Sequence, residues 1–155
     1  MSGWWSRWWR RRKGYANFAT DFAEIIKAET DPIIDGMRQG SVVTFSEGVA
    51  GHALLEGFTI TNGRGNDRGS SSTYGGGVDC RHSKATVNDC IITANRADFG
   101  GGICVSGDRI HVENNLISEN EGLVSGGGVA VEFGDRVEIA NNTIAGNEAA
   151  LSGGG

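Results

Sequence analysis

A glycine triplet recurs along this chain, beginning at residues 75, 100, 126 and 153, at spacings of 25, 26 and 27 residues. No other feature limits the fold as strongly. Self-similarity at a short fixed period marks a solenoid or array, in which each unit buries its apolar side only against its neighbours. After each of the first three triplets comes an alternating stretch, "VDC", "ICV" or "VAV". A polar turn follows, "RHSK", "SGD" or "EFGD", and then a second alternating stretch, "ATVNDCIIT", "IHVENNLIS" or "VEIANNTIA". Each unit closes with Asn95, Asn120 or Asn147 and a small or acidic turn. A fainter copy lies upstream, with "GSVVTF" (40–45) in place of the first stretch and "ALLEGFTIT" (53–61) in place of the second. Its loop, "NGRGNDRGSSSTY", is longer, and "PIIDG" (32–36) fits the last strand of a still earlier unit.

The content of the unit selects the architecture. Helical repeats need a 3.6-residue period and few glycines, whereas these segments alternate with period two between Gly, Asn and Asp turns, as strands do. The leucine-rich frame is absent. A composition of 26 Gly and one Pro, with Val, Ile and Leu at fixed intervals, separates the chain from glycine-rich disorder. Hairpins would not require every copy to present the same residue types in the same order. A chain winding in one direction does, because equivalent residues stack at the strand spacing of about 4.8 Å. The predicted aliphatic stacks are Val78/Ile103/Val129, Val87/Val112/Ile139, Ile60/Ile92/Ile117/Ile144 and Cys80/Val105/Val131. Asn95, Asn120 and Asn147 form a polar column at a bend, and Asn115 and Asn142 form a second, with Cys90 and Phe58 in the same column. Side-chain amides stacked this way can pair with one another and satisfy turn backbone, so all five asparagines are expected to be structural. The fold class is therefore all-β, a parallel solenoid of about four to five rungs over residues 32–155.

The phrases "GGGV…VNDCIITANRA", "GGGI…VENNLISENEG" and "GGGV…IANNTIAGNEA" resemble the repeats of right-handed parallel β-helix proteins, the pectin-lyase-like superfamily. They are most similar to its glycine-rich bacterial branch, whose repeats look like those of polymorphic outer-membrane proteins. "IIDGMRQGSVVTFSEG…LLEGFTITNG" is similar to the segment that opens the helix in that branch. The resemblance implies a right-handed coil, and a secreted or cell-surface location, with polysaccharide or a surface glycan as partner. It leaves activity open, because the family holds lyases, hydrolases, adhesins and proteins without known activity.

The ends depart from the repeat. Residues 1–14 form a Trp/Arg-rich leader, "MSGWWSRWWRRRKG", in which Trp4, Trp5, Trp8 and Trp9 fall on one side of a helix. An unstructured leader is the expectation, with contact to an anionic membrane surface as the functional alternative and nucleic-acid stacking behind it. Residues 15–31 space Phe18, Phe22, Ile25 and Ile26 as an amphipathic helix that could cap the first rung; an irregular segment is the rival. Residues 1–13 carry five cations and no acid, leaving nine basic against nineteen acidic residues in the remainder. That balance argues against nucleic-acid binding by the main domain. The basic start has no apolar stretch after it, so no signal peptide is expected in this sequence. The terminal triplet announces a further rung, which suggests a truncated solenoid able to self-associate through an open end.

Little in the repeat reads as chemistry. Cys80, Cys90 and Cys104 form no CxxC, so neither a disulfide framework nor a zinc site is expected. Polysaccharide-cleaving members of the family resembled here use outward carboxylates on stacked strands, as acid and base or as ligands for Ca²⁺. Calcium enters only under that enzymatic reading; otherwise no cofactor and no metal is expected. The best outward combination is the column Thr86, His111, Glu138, which sets an imidazole beside a carboxylate, with Glu113 on the same face. His111, Glu113 and Glu138 are thus the catalytic candidates, against the plainer reading of solvated surface charge. Asp79 is the only acid of its outward column, and His52 and His82 fall in turns and align with neither. The loop "GRGNDRG" (63–69) reads as plain solvated chain, with contact of Arg64, Asp67 and Arg68 with an anionic sugar as the alternative. A non-catalytic segment for adhesion, carbohydrate contact or spacing is favoured over a fragment of a lyase or hydrolase acting on acidic polysaccharide.

Overall fold

The computed structural model describes residues 16–17, 25–27, 32–47 and 51–155. They form four 5-stranded sheets, and each turn of the chain contributes a strand to one sheet after another. The first sheet holds Ala16–Asn17, Val43–Phe45, Val78–Arg81, Ile103–Ser106 and Val129–Val131. The second holds Ile25–Lys27, Ala53–Glu56, Ala85–Asn88, Asp108–Glu113 and Asp135–Ala140. The third holds Ile33–Asp35, Thr59–Thr61, Ile91–Thr93, Leu116–Ser118 and Thr143–Ala145. The fourth holds Arg96–Phe99, Glu121–Ser125 and Glu148–Ala149, together with a short hairpin, Asn66–Asp67 and Thr73–Tyr74. That hairpin is the one antiparallel pair among the described strands; every other pairing is parallel. The result is an all-β parallel solenoid of about four turns.

The unit is thus richer than two alternating stretches. The second stretch, "ATVNDCIIT", is two strands meeting at a corner, and the Asn-led turn opens a fourth strand. The corner is made by a residue in the left-handed region, Asp89, Asn114 or Asn141, at φ of 53°, 56° and 56°. Asn and Asp tolerate this conformation better than other side chains with a Cβ. The next residue, Cys90, Asn115 or Asn142, turns inward. The following corner repeats the device, with Ala94, Glu119 and Gly146 left-handed before Asn95, Asn120 and Asn147.

The inward asparagines satisfy the corner backbone. Asn120 Nδ2 donates to the Ile92 carbonyl at 2.8 Å, and Asn120 Oδ1 accepts from the Asn95 backbone N–H at 3.0 Å. Asn147 repeats this on Asn120, and Asn95 Oδ1 accepts from Gly63 N–H at 2.9 Å. Asn115 Nδ2 donates to the Val87 carbonyl at 2.9 Å and Asn142 Nδ2 to the Val112 carbonyl at 2.7 Å. The corner N–H has no strand partner and donates to the amide oxygen of the next coil, while the amide nitrogen adds a bond to a strand carbonyl of the preceding coil.

Between the corners the interior is aliphatic. Val43, Val78, Ile103 and Val129 are in register, as are Leu55, Val87, Val112 and Ile139. Ile34, Ile60, Ile92, Ile117 and Ile144 continue through the third sheet. Phe45, Cys80 and Val105 close the first. All but the members from the last coil are fully buried. There Val131 is 49% exposed and Ile139 41%, at the mouth of the coil.

The triplets sit where the chain passes from the fourth sheet to the first. Gly75, Gly100, Gly126 and Gly153 take φ of 57–67°. The second glycine is required for a different reason. A Cβ at Gly101 would collide with the backbone carbonyl of Glu121 on the next coil. Only bare backbone lets successive coils approach this closely.

At the N-terminal end the structure differs from the helical expectation. Ile25–Lys27 pairs in parallel with Leu54–Glu56, and Ala16–Asn17 pairs with Val43 and Thr44. β-branched Ile25 and Ile26 suit a strand as well as a helix, and the exposed edge of the second sheet decides in favour of pairing. The leader 1–14 and the rest of 15–31 lie outside the described residues.

Candidate functional site

Since the interior is filled by aliphatic columns and amide ladders, chemistry is confined to the outward faces. On a coil these faces are made by alternate strand residues and by the corner residues, so an outward site is built from equivalent positions on successive turns.

The second sheet carries the first such site. Thr86, His111 and Glu138 are in register on neighbouring strands, and Glu113 lies two residues beyond His111 on the same side. His111 Nδ1 is 3.3 Å from Glu113 Oε1 and 3.3 Å from Glu138 Oε2. One ligand atom from each residue can be chosen so that all lie within 4.8 Å of one another. His52, assigned by sequence to an unaligned turn, in fact reaches this face. Its Nε2 is 2.6 Å from Thr86 Oγ1, and its ring centre is 6.0 Å from that of His111. Burial pushes the His52 imidazole below its usual range, and the neighbouring charges of His111 and Lys84 act in the same direction. The strands fix the His111 cluster; His52 arrives from a connection whose position no repeat reveals.

The first sheet is covered, and sequence reasoning missed this. The loop after Gly63 is not plain solvated chain. It forms the hairpin of the fourth sheet and sends Arg68 back across the first. Arg68 pairs with Asp79 and reaches Glu132 at 3.1 Å and Ser106 Oγ at 2.9 Å, so one side chain spans three coils. Its guanidinium also lies 4.3 Å over the Tyr74 ring, which stacks on Phe99. Beneath it Asp79 is fully buried, with Arg81 at 3.3 Å and Asn66 at 3.4 Å as further partners. Burial raises the Asp79 carboxyl, against the opposing pull of the Arg68 hydrogen bond and charge. This latch is structural: Arg68 is occupied by protein groups and is not available to an anionic sugar. Cys104 also lies under it and, like Cys80 and Cys90, is a free, buried thiol. Burial pushes Cys90 up to about 11 and Cys104 to about 12, values of an inert thiol.

The third outward feature is a groove of about 240 Å³ at the corner between the third and fourth sheets. Arg38, Arg64 and Arg96, from three successive turns, line it with Glu119 and Glu121. Arg96 pairs with Glu121 at 3.3 Å, whereas Arg38 and Arg64 have no acidic partner among the described residues. The groove follows from the corner itself. Left-handed Asn62 and Ala94 turn the chain, Gly63 and Asn95 point inward, and the next residue, Arg64 or Arg96, is thrown outward. Arg64 is held in place by its backbone N–H on the Gly40 carbonyl at 3.0 Å, and Arg96 by its own on Gly63 at 3.0 Å. Sequence alone singled out Arg64 but not its grouping with Arg38 and Arg96, because the insertion after Gly63 obscures the register.

Parallel pairing, coil length and the corner ladders agree with one comparison. The family model described as "Right handed beta helix region" matches residues 49–154. The chain belongs to the right-handed β-helix family. Comparison with curated proteins and with solved structures found no match. Membership of this family establishes the hand and the architecture, and the outward residues alone bear on activity.

Proposed function

We propose that this right-handed β-helix is a non-catalytic segment of a secreted or cell-surface protein, within the glycine-rich branch of the pectin-lyase-like proteins, and that it holds an acidic polysaccharide along the arginine groove. The observation that carries this reading is that Arg38, Arg64 and Arg96 line one groove, with two of the three guanidinium groups without an acidic partner among the described residues. Guanidinium groups present forked donors to carboxylates. Arg64 and Arg96 leave equivalent corners on successive turns, about 4.8 Å apart at the backbone, and Arg38 joins them from the turn before Gly40, so the groove offers several cations to a polymer bearing carboxylates. Glu119, Glu121 and Asn62 on the same walls supply acceptors and donors for sugar hydroxyls. The acidic remainder of the chain disfavours a polyanion at long range, so binding rests on these local contacts and weakens with salt.

The rival reading is a fragment of a lyase or hydrolase, for which His111, Glu113 and Glu138 supply the nearest set of groups. Carboxylates that act as nucleophile and acid sit about 5–5.5 Å apart across a bound sugar. Here both are drawn onto a single imidazole nitrogen, on the outward face of a sheet. Neither the arginine groove nor the cavity beside Phe99 and Phe133 is lined by them. That placement supports the binding reading.

Calorimetric titration with polygalacturonate and with a neutral glucan tests the proposal. Polygalacturonate is expected to bind and neutral glucan not, with Arg64→Ala plus Arg96→Ala weakening binding about tenfold or more, since hydrogen bonds to charged groups contribute about 1.5–3 kcal/mol. Equal binding of both polymers, or indifference to the double substitution, would remove the groove from consideration. Release of reducing ends or unsaturated uronate that is lost in Glu113→Gln or Glu138→Gln would establish the enzymatic reading instead.

A further inference from the structure

We propose that His111, Glu113 and Glu138 bind a divalent transition-metal ion of the zinc class on the outward face of the second sheet, tying the last two coils together. The inference is independent of the arginine groove, which lies at the corner between the third and fourth sheets and uses other residues. It also departs from the sequence-based expectation of no metal outside the enzymatic reading.

The argument is geometric. Zinc binds imidazole nitrogen and carboxylate oxygen at about 2.0–2.2 Å, so two ligand atoms on a tetrahedral ion stand about 3.4 Å apart. His111 Nδ1 lies 3.3 Å from an oxygen of each carboxylate. The remaining separation, between the carboxylates, is within 4.8 Å and closes by rotation of the Glu138 side chain, which is 60% exposed. A proton does not account for the arrangement as well. Nδ1–H can be directed at one carboxylate only, and the second is left beside the first with like charge. A single cation in the middle satisfies all three groups.

The ligand types choose the metal. Calcium takes six to eight oxygen ligands and magnesium a near-octahedral oxygen shell. One imidazole with two carboxylates suits a borderline ion, with affinity rising toward copper and zinc. Placement on strands preorganises the set. His111 and Glu113 are fixed by the two-residue period of one strand, and Glu138 by its pairing with His111. Three protein ligands leave a fourth position for water, as in open zinc sites.

Calorimetry of the whole chain with ZnCl₂, and visible absorption with Co²⁺ as a coloured substitute, tests this. The expected result is one ion per chain, Co²⁺ bands of a four-coordinate site, and binding of Ca²⁺ and Mg²⁺ at least about a hundredfold weaker. His111→Asn and Glu138→Gln should each lower Zn²⁺ affinity about tenfold or more, a loss at least as large as that for an outer-shell residue. His82→Asn, a turn histidine facing Glu47, should leave it unchanged. If His111→Asn alters the circular dichroism, the more exposed Glu138→Gln decides alone. Absence of stoichiometric Zn²⁺ binding, Zn²⁺ binding untouched by Glu138→Gln, or Ca²⁺ binding as tight as Zn²⁺ would each overturn the proposal.

Discussion

Replacing Asn120 by alanine tests whether the corner amides hold the coil together. Asn120 is 1% exposed and serves four hydrogen bonds. Two of these matter most. The Asn95 backbone N–H donates to Asn120 Oδ1 at 3.0 Å, and the Ile92 carbonyl accepts from Asn120 Nδ2 at 2.8 Å. Asn95 Nδ2 retains the carbonyls of Ile60 and Thr93 after truncation, so its loss is minor. Asn120→Ala therefore strands one buried donor, the Asn95 N–H, at about 1–3 kcal/mol, while the Ile92 carbonyl, in the middle of a paired strand, loses only its second donor. A domain of ordinary stability has about 5–15 kcal/mol in total, so the variant should unfold at a clearly lower urea concentration. Asn142→Ala loses the equivalent bonds, from the Asn115 backbone N–H at 2.9 Å and to the Val112 carbonyl at 2.7 Å, but on the last coil, where Asn142 is half-buried and water can replace them, so it should cost less than Asn120→Ala. Equilibrium urea unfolding followed by far-ultraviolet circular dichroism measures both. A cost below about 1 kcal/mol for Asn120→Ala, or a larger one for Asn142→Ala, would mean that the aliphatic columns hold the coils and the amides are incidental.

Arg68→Ala should destabilise by about 3–5 kcal/mol, because it leaves the buried Asp79 carboxylate short of its main partner, and Asp79→Asn in that background should recover part of the loss; urea melts of the three variants check this. The cysteines should resist iodoacetamide in the folded chain and react together on unfolding, which mass spectrometry of quenched samples follows; labelling of Cys104 before Cys80 under native conditions would report opening of the Arg68 latch. Stability should fall as pH drops below about 6.5, the ordinary value for His52, since the unfolded imidazole takes its proton before the folded one does. The loss ends once the folded His52 is also protonated, and His52→Gln should flatten this part of the profile of melting temperature against pH.

The interior was legible because it repeats. A column such as Ile60, Ile92, Ile117 and Ile144 states the same requirement on every turn, and each copy confirms the others. The amide columns were legible for the same reason. What repetition did not reveal was the sharp corner inside "ATVNDCIIT", since alternation continues across it. The left-handed residue there is Asp in one copy and Asn in the others, a substitution that also suits an ordinary exposed strand position. One-off contacts had no column to announce them. Arg68 meets Asp79 eleven residues away and Glu132 sixty-four residues away, and neither partner recurs. His52 reaches His111 from a connection of similarly irregular length. The outward set of His111, Glu113 and Glu138 was visible because it lies within the regular strands.

This division follows from how a coil is built. Its inner positions must be compatible with themselves one strand spacing away, so they change little from turn to turn. Its outward positions carry no such constraint and can differ freely, which is where a binding or metal site can arise without disturbing the fold. The two are nonetheless joined at the corners. Asn95 faces inward to accept from Gly63 and also borders the groove, and the residue after each of these two carries a guanidinium. Loss of the Asn95 amide would free the Gly63 N–H and loosen the alignment of Arg64 with Arg96. The His111 cluster lies away from these corners and is held by strand register alone, so it should keep its geometry when the corner is disturbed. A binding surface of this kind is therefore only as ordered as the amide behind it, whereas a site on the flat of a sheet depends on pairing between neighbouring turns.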